Sequence, residues 1–347
     1  MSKLKNASPK AKRWGIILII ELILIAVLVP VIFIYAKFNS MQSASDINKK
    51  DIMINDIDDS TRTILSGYQN IALFGVDSRD GSLKEGARSD SIMLVSINHD
   101  EKKIKLLSIY RDLCVKVPDH GLTKACHAYA YGGAGLAMST LNTNLDLTVT
   151  DFATVDFGIL ANIIDEIGGI ELDITEPEFA LINHLIDEQN KVTGSKSSHL
   201  KSAGTQHVDG TQAVAYSRIR KSDSDFKRAE RQRIVISKVF AKLKSSDIAT
   251  IISVANKVMP QVYTNLSKGD MLTLAKDVTS YDIADSQGFP FEVVTGTLSG
   301  DNFSYDFADG FNKNVTELHQ YLFNNANYSP SSTVQTIGDE IYASRVQ

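Results

Sequence analysis

What this chain of 347 residues lacks rules out several chemistries. It has two cysteines, Cys114 and Cys126, and no compact C-x-x-C pair. His120 and His127 lie close by in sequence, but that spacing argues against a zinc site. A Cys114–Cys126 disulfide would close a short loop and stabilise by roughly 3 kcal/mol. Two buried free thiols are the other reading of the same pair. There is no Ser/His/Asp nucleophile signature and no internal repeat. No acidic residue precedes Glu21, although the chain as a whole carries a formal net charge of −5. The part before Trp14 is too short to hold a helix-turn-helix, which argues against a DNA reader there.

One long apolar run is present. Trp14 to Ala36, "WGIILIIELILIAVLVPVIFIYA", is long enough to cross about 30 Å of hydrocarbon as a helix. Trp14 and Tyr35 stand at its ends, where amphipathic rings favour the interface. The run exceeds a signal-peptide core and no A-x-A-like site follows promptly, so an uncleaved anchor is expected. Lys3, Lys5, Lys10, Lys12 and Arg13 precede it, and Asp46, Asp51, Asp56, Asp58 and Asp59 follow. That asymmetry predicts a single-pass cell-membrane protein, with residues 1–13 as a cytoplasmic tail and the body extracytoplasmic. Residues 37–66, polar and aperiodic, read as a stalk. Residues 67–325 read as one domain, and 326–347 as a frayed C-terminal tail.

The body mixes strands and helices. "IALFGVD" is an apolar strand ending at Asp77; "SIMLVSI" and "KIKLLSIY" flank "NHDEK" as a hairpin. "FGILANIIDEIGG" has helical spacing with a Gly-Gly stop, and "IELDI" alternates like a strand. Asn190–His207 reads as a long polar loop, and "AVAYSRIR" as a strand. A helix then starts at Asp223 or Asp225 and runs through "FKRAERQRIVISKVFAKL". The expected fold class is α/β (α+β): a central mixed, largely antiparallel sheet sandwiched by helices.

The segment Val214–Arg233 concentrates seven basic residues and only three acids in an acidic body, so an anionic partner is expected there. An up-down-up meander of the first three strands would bring Asp77, Asp90, Arg111 and Asp112 to one rim, with Arg79 and Arg88 in the loop between. Carboxylates on adjacent strands about 4.8 Å apart suit one hard cation, Mg²⁺ with Mn²⁺ as the alternative, completed by phosphate oxygens. On a strand, Arg218 and Arg220 would share a face; on the next helix, Arg228 and Gln232 would do so at i, i+4. Guanidinium forks match phosphate oxygens in a bidentate way. A socket for a pyrophosphate follows, and a nucleic-acid duplex does not, since it needs a longer, less acid-punctuated surface.

In order along the chain, "LFGVDSR", "RSDSIMLVSIN", "KIKLLSIYRDLCVKVP", "KACHAYAYGG", "DFGILANIIDEIGGIEL", "VDGTQAVAYSRIR" and "DFKRAERQR" resemble the successive blocks of the LytR-CpsA-Psr family of Gram-positive cell-envelope proteins. The resemblance implies an apolar tunnel for a polyprenyl chain within the fold. It implies Mg-dependent transfer of a glycopolymer, such as teichoic acid or capsule, from undecaprenyl (pyro)phosphate to peptidoglycan. By motif it places Asp77 and Asp90 on the metal, and Arg88, Arg111, Arg218, Arg220, Arg228 and Gln232 on the phosphates. Asp112 or Asp225 is then the base or an arginine orienter. A polyprenyl-phosphate-binding regulator without turnover is the competing function. Two departures stand out: Tyr110 occupies the usual proline position before Arg111, and "KACHA" replaces a Lys-Ile-Asn segment. The two cysteines sit in these altered blocks, which favours their pairing.

Overall fold

The computed structural model describes residues 42–44, 46–76, 83–84, 86–220 and 225–346. The expected tail and membrane helix, together with Asp77, Arg79 and Asp223, lie outside the described residues. Among the described residues no helix is long and apolar enough to cross a membrane. Gln42–Gln347 form one compact unit.

Strand β1 (Gln42–Ser43) is followed by helix α1 (Asp59–Ser66), capped by the Asp58 side chain. Strands β2 (Tyr68–Val76), β3 (Ser89–Asn98) and β4 (Lys103–Ile109) form the expected antiparallel meander. The Asn98 side chain closes the β3–β4 turn by accepting from the N–H groups of Asp100 and Glu101. The hairpin β5 (Cys114–Val117) and β6 (Gly121–Lys124) leads into helix α2 (Ala125–Leu145), and β7 (Asp151–Asp156) returns parallel to β2. Helix α3 (Phe157–Glu166) ends before Gly168 and Gly169, both at positive φ, as the Gly-Gly stop anticipates.

Next come β8 (Ile170–Ile174), α4 (Glu176–Thr193) and β9 (Gly204–Val208), with β8 and β9 antiparallel. Helix α4 takes the start of the expected polar loop and β9 its end, so the loop is shorter than the composition suggested. Helices α5 (Gly210–Ser217), α6 (Asp225–Ser245) and α7 (Ile248–Val258) precede β10 (Tyr263–Thr264), α8 (Lys268–Asp277) and β11 (Asp282–Phe289). The chain closes with β12 (Val293–Leu298), β13 (Tyr305–Ala308), α9 (Phe311–Phe323), α10 (Ser332–Ser344) and β14 (Arg345–Val346).

The main sheet has the order β1-β10-β7-β2-β3-β4-β11. It is mixed, as expected, but only half antiparallel: β1–β10, β7–β2 and β4–β11 are parallel. Long helical crossovers return strands in the parallel sense, which hairpin signals do not report. One face packs Phe74, Ile92, Leu94 and Leu107 against α2, α9 and α10. The other packs Ile71, Met93, Ile97 and Leu106 against Ile236 and Phe240 of α6. A third apolar cluster joins α3, β8, α4 and α5 to α6.

Three further expectations change. "AVAYSRIR" is not a strand. Asp209 and Gln212 form a capping box that starts α5, and Arg218 is its C-terminal cap. The described part of the stalk is packed instead: Ile52, Ile57 and Leu65 are buried in the main core. The C-terminal tail is packed too, with Val334, Ile337 and Ile341 of α10 in the same core.

The packed stalk and the C-terminal tail are tied to one carboxylate. Asp146, fully buried, caps α2 in the left-handed conformation (φ 51°). It accepts from Asn55 Nδ2 (2.6 Å), the Tyr328 hydroxyl (2.6 Å), Ser331 N–H (2.8 Å) and Ser331 Oγ (2.7 Å). His319 stacks on Tyr328 with centroids 3.6 Å apart and reaches the Leu145 carbonyl through Nε2 at 2.9 Å. Burial pulls the His319 pKa down to about 4 and keeps the ring neutral there. Replacing Asp146 with Ala strands several buried donors at once. Urea unfolding of Asp146→Ala is expected to show a loss of roughly 3 kcal/mol or more, with Asn retaining part of it. A loss below about 0.5 kcal/mol would mean the two segments are held by apolar packing alone.

Candidate active site

The meander turns its charged ends to one rim. Asp90 is the second residue of β3, and Arg111 lies just past the end of β4. Arg111 Nη1 donates to Asp90 Oδ1, while the Arg111 carbonyl accepts from Cys126 N–H at 3.0 Å, pinning the loop to α2. Burial works against the Arg111 charge, but Asp90 and the other carboxylates outweigh it and hold the pKa above its ordinary value. Asp112 next to it meets Lys124 Nζ at 2.9 Å.

Tyr110, at the position where a proline was expected, has a local role. Its ring packs on Phe226 of α6 (centroids 4.5 Å apart) and lies so close to Gly288 of β11 that a Cβ there would sit 2.1 Å from its hydroxyl. Tyr110 therefore locks the start of α6 against the rim.

Helix α6 splits the basic cluster into two jobs. Arg231 turns inward: its Nε donates to Glu178 Oε1 at 2.6 Å and its Nη1 to the Ile219 carbonyl at 3.0 Å. Arg228 turns to the rim. It is 6% exposed, and its Nη2 donates to the Asp90 carbonyl at 3.2 Å. Its Nε has no hydrogen-bond partner among the described residues. Burial, ahead of any charge, pulls its pKa below the ordinary arginine value. Asp225, in the first turn of α6, accepts a forked pair from Arg220 Nε (3.1 Å) and Nη2 (2.9 Å). Burial opposes ionisation of Asp225, yet Arg228 and Arg220 overcome it and hold its pKa below the usual carboxylate range.

A cavity of about 620 Å³ opens beside these groups. Asp90, Arg218, Arg220, Arg228 and Gln232 form its charged side; Phe157, Leu181 and Leu185 form an apolar wall. Arg218 donates from Nη1 to Gln189 Oε1 at 2.9 Å, and its guanidinium lies 5.3 Å from the Phe157 ring centre. Arg218 and Arg220 thus reach one cavity from a helix cap and the extended chain after it, not from one strand face. Arg88 is exposed and does not line the cavity. Asp77 and Arg79 lie outside the described residues. Among the described residues no group of three or more His, Cys, Asp or Glu side chains surrounds a metal-sized site. Asp90 is nonetheless a fitting hard donor: Arg111 engages Oδ1, and no hydrogen bond is made to Oδ2 among the described residues.

The disulfide reading is corrected. Both cysteines are free and buried. The hairpin register sets Cys114 opposite Lys124, not Cys126, and the two thiols have different neighbours: Glu340 beside Cys114, Arg111 and Asp112 beside Cys126. Burial pushes their pKa values up to about 12 and about 11, so neither is a thiolate at neutral pH.

One acid was missed. Asp306 on β13 is 8% exposed, and its N–H donates to the Asp112 carbonyl at 2.9 Å. No sequence signal marks it, because a single parallel bridge to Leu113 brings it in from a distant part of the chain. Burial, then Asp112 and Asp225, raise its pKa from 3.8 to about 6. The folded protein thus binds a proton that the unfolded chain has released between about pH 4 and 6. That contribution to stability falls as pH rises through this window. Asp306→Asn should therefore be more stable than the parent at pH 8. Its advantage should shrink by more than about 1 kcal/mol at pH 5, measured by urea unfolding at both values. A pH-independent difference would contradict burial as the cause.

A family model for the LytR_cpsA_psr family matches residues 32–318. The chain is 34% identical over 229 residues to the polyisoprenyl-teichoic acid–peptidoglycan teichoic acid transferase TagT of Bacillus subtilis (strain 168), covering 64% of this chain and 69% of that protein. It is 30% identical over 263 residues to TagU, of the same description, from Enterococcus faecalis (strain ATCC 700802 / V583), covering 74% and 80%. A solved structure described as the LytR-CPS2A-psr family protein YwtF (TagT) with bound octaprenyl pyrophosphate lipid superposes with a TM-score of 0.57 at 26% identity, covering 80% of this chain and 95% of that one. The ordered sequence blocks, the rim of arginines around Asp90 and these likenesses agree: the chain belongs to the LytR_cpsA_psr family.

Proposed function

We propose that this protein transfers a glycopolymer from an undecaprenyl pyrophosphate carrier to peptidoglycan, outside the membrane that its N-terminal segment anchors it to. The observation that carries the proposal is the half-apolar cavity: Arg218, Arg220 and Arg228 converge on one side and Phe157, Leu181 and Leu185 on the other. A pyrophosphate with a lipid attached needs both sides at once. The relatives' descriptions, as transferases and as a lipid pyrophosphate complex, support the same reading.

Helix α6 extends the argument to the lipid. Arg228 and Gln232 face the charged cavity, and Ile236 and Phe240 line a second, apolar cavity of about 270 Å³ under the sheet. The four residues follow the i, i+4 repeat, so one stripe of the helix runs from phosphate to hydrocarbon over about 18 Å. Ile71, Leu73, Val95 and Leu106 form the sheet side of the apolar cavity. This is the stretch in which the polyprenyl chain lies.

In the proposed reaction an acceptor hydroxyl attacks the phosphorus nearest the glycan, and the bond from that phosphorus to the oxygen of the polyprenyl phosphate breaks. A phosphodiester to the wall forms, and polyprenyl phosphate leaves. Arg218, Arg220 and Arg228 neutralise the charge that collects on the leaving phosphate. Asp225 is poorly suited as the base, because its partners hold it ionised and occupied; it orients Arg220 and Arg228. The hydroxyl proton passes to the Asp112–Asp306 side, where Asp306 has the pKa nearer neutrality. Magnesium, or manganese, would be held by Asp77, Asp90 and the donor's phosphate oxygens, supplying positive charge beside them.

The test is turnover. Purified protein, a lipid-pyrophosphate-linked oligosaccharide, Mg²⁺ and peptidoglycan should yield covalently attached saccharide. Arg228→Ala should lower donor affinity about tenfold or more, and Arg228→Lys should recover only part of it. External protease on protoplasts bearing the full chain should abolish the activity. Tight donor binding without attachment would favour a non-catalytic regulator instead.

A further inference from the structure

The hairpin β5–β6 carries an aromatic surface that the donor site does not use. Asp119 and Gly121 adopt left-handed backbone (φ 61° and 74°), and the turn they make folds His120 onto Tyr131 of α2. The two rings stack with centroids 4.5 Å apart and planes 22° apart. His127, one turn earlier on α2, lies 5.8 Å from Tyr131, and its Nδ1 is bonded to Thr123 Oγ1 at 2.8 Å. Tyr131 is 47% exposed, so its ring does no work in the core.

Helix α2 breaks directly after that ring. Gly132 (φ −154°, ψ 30°) and Gly133 (φ 59°, ψ −157°) are both non-helical, and the second conformation is one that glycine alone adopts readily. The break leaves Tyr131 as the last residue of the first helical segment, at the surface. The aromatic row also abuts the rim. Lys124, which pairs with Asp112, ends β6 just before His127, and Gly86 of the β2–β3 connection donates its N–H to the Ala130 carbonyl at 3.3 Å. Burial, then the nearby Arg88 and Lys124, pull the His127 pKa below its ordinary value. None of the three rings lines the donor cavity.

We propose that His120, Tyr131 and His127 form a saccharide platform that seats the acceptor glycan beside the carboxylates of the rim. The proposal rests on the transferase reading given above and names where that reaction's second substrate binds. An exposed stack of rings offers a flat apolar surface to the C–H face of a pyranose. The tyrosine hydroxyl, the imidazole nitrogens other than the Thr123-bonded Nδ1 of His127, and the exposed Arg88 are the groups that would meet hydroxyl and acetamido groups. Asp112 lies near enough to His127 to act on its charge, so a sugar seated on the rings has the rim within reach of a neighbouring unit. A donor saccharide would present the same chemistry, and the choice of the acceptor follows from the platform's separation from the donor cavity.

Full-length protein in detergent would be titrated with two probes. One is a soluble tetrasaccharide of β-1,4-linked N-acetylhexosamines without lipid; the other is a lipid pyrophosphate bearing a short saccharide. Tyr131→Ala should weaken the tetrasaccharide by roughly fivefold or more, while Tyr131→Phe stays within about twofold of the parent. Both variants should bind the lipid probe like the parent and unfold at the parent's temperature. Equal tetrasaccharide affinity in parent and Tyr131→Ala would overturn the platform, as would a loss confined to the lipid probe. A parent that binds the lipid probe but no tetrasaccharide would also overturn it, leaving the donor site standing. A parent that binds the tetrasaccharide through Tyr131 but not the lipid probe would keep the platform and remove the transferase reading.

Discussion

Two guanidinium groups hold Asp90 from different directions, and the architecture of the site follows from that clasp. Arg111, carried by the end of β4, takes the carboxylate; Arg228, carried by α6, takes the backbone carbonyl. The pair thereby fastens the sheet rim to the helix that crosses it. Arg228 bears the cost, since it is 6% exposed and its Nε is unpaired among the described residues. A buried cation with an unused donor is expensive to keep unless an anion completes it. Asp225, 3.6 Å from Nη1, offsets part of that cost, and the cavity beside Arg228 has room for a further anion.

The remaining charges are arranged around the same need. Asp225 keeps Arg220 forked and Arg228 aligned, and Tyr110 wedges the start of α6 against β11. Lys124 and Asp306 bracket Asp112 from two other strands. Carboxylates with opposed environments therefore lie close together: Asp225 is held ionised by its arginines, while burial draws Asp306 toward protonation. Such divergence among neighbouring acids is characteristic of sites that move protons.

Much of this was legible in the residues. The alternating and apolar runs from Ile71 to Ile109, with their polar turn, defined three strands, and strand ends alone brought Asp90, Arg111 and Asp112 to one rim. The i, i+4 spacing of Arg228 and Gln232 held because α6 is a helix. What failed had physical reasons. "AVAYSRIR" is β-branched and aromatic enough to read as a strand, but the Asp209–Gln212 box nucleates a helix, and local capping outweighed propensity. The stalk and tail look aperiodic because Ile52, Tyr328 and their neighbours dock singly onto a core made elsewhere. Asp306 was invisible because only tertiary contact places it at the rim. The cysteines invited a disulfide by proximity in sequence, and the hairpin register set them in different surroundings.

The central claim is that one stripe of α6 reads a phosphate at Arg228 and a hydrocarbon chain at Phe240. The most direct test is calorimetric binding of geranyl and octaprenyl pyrophosphates to the parent and to Phe240→Trp. The short chain ends before the apolar cavity, so its affinity should be the same in both proteins. The long chain must pass the enlarged side chain, and it should bind Phe240→Trp about tenfold or more weakly. Equal binding of the octaprenyl compound by both proteins would contradict the account, because the lipid would then follow some other path.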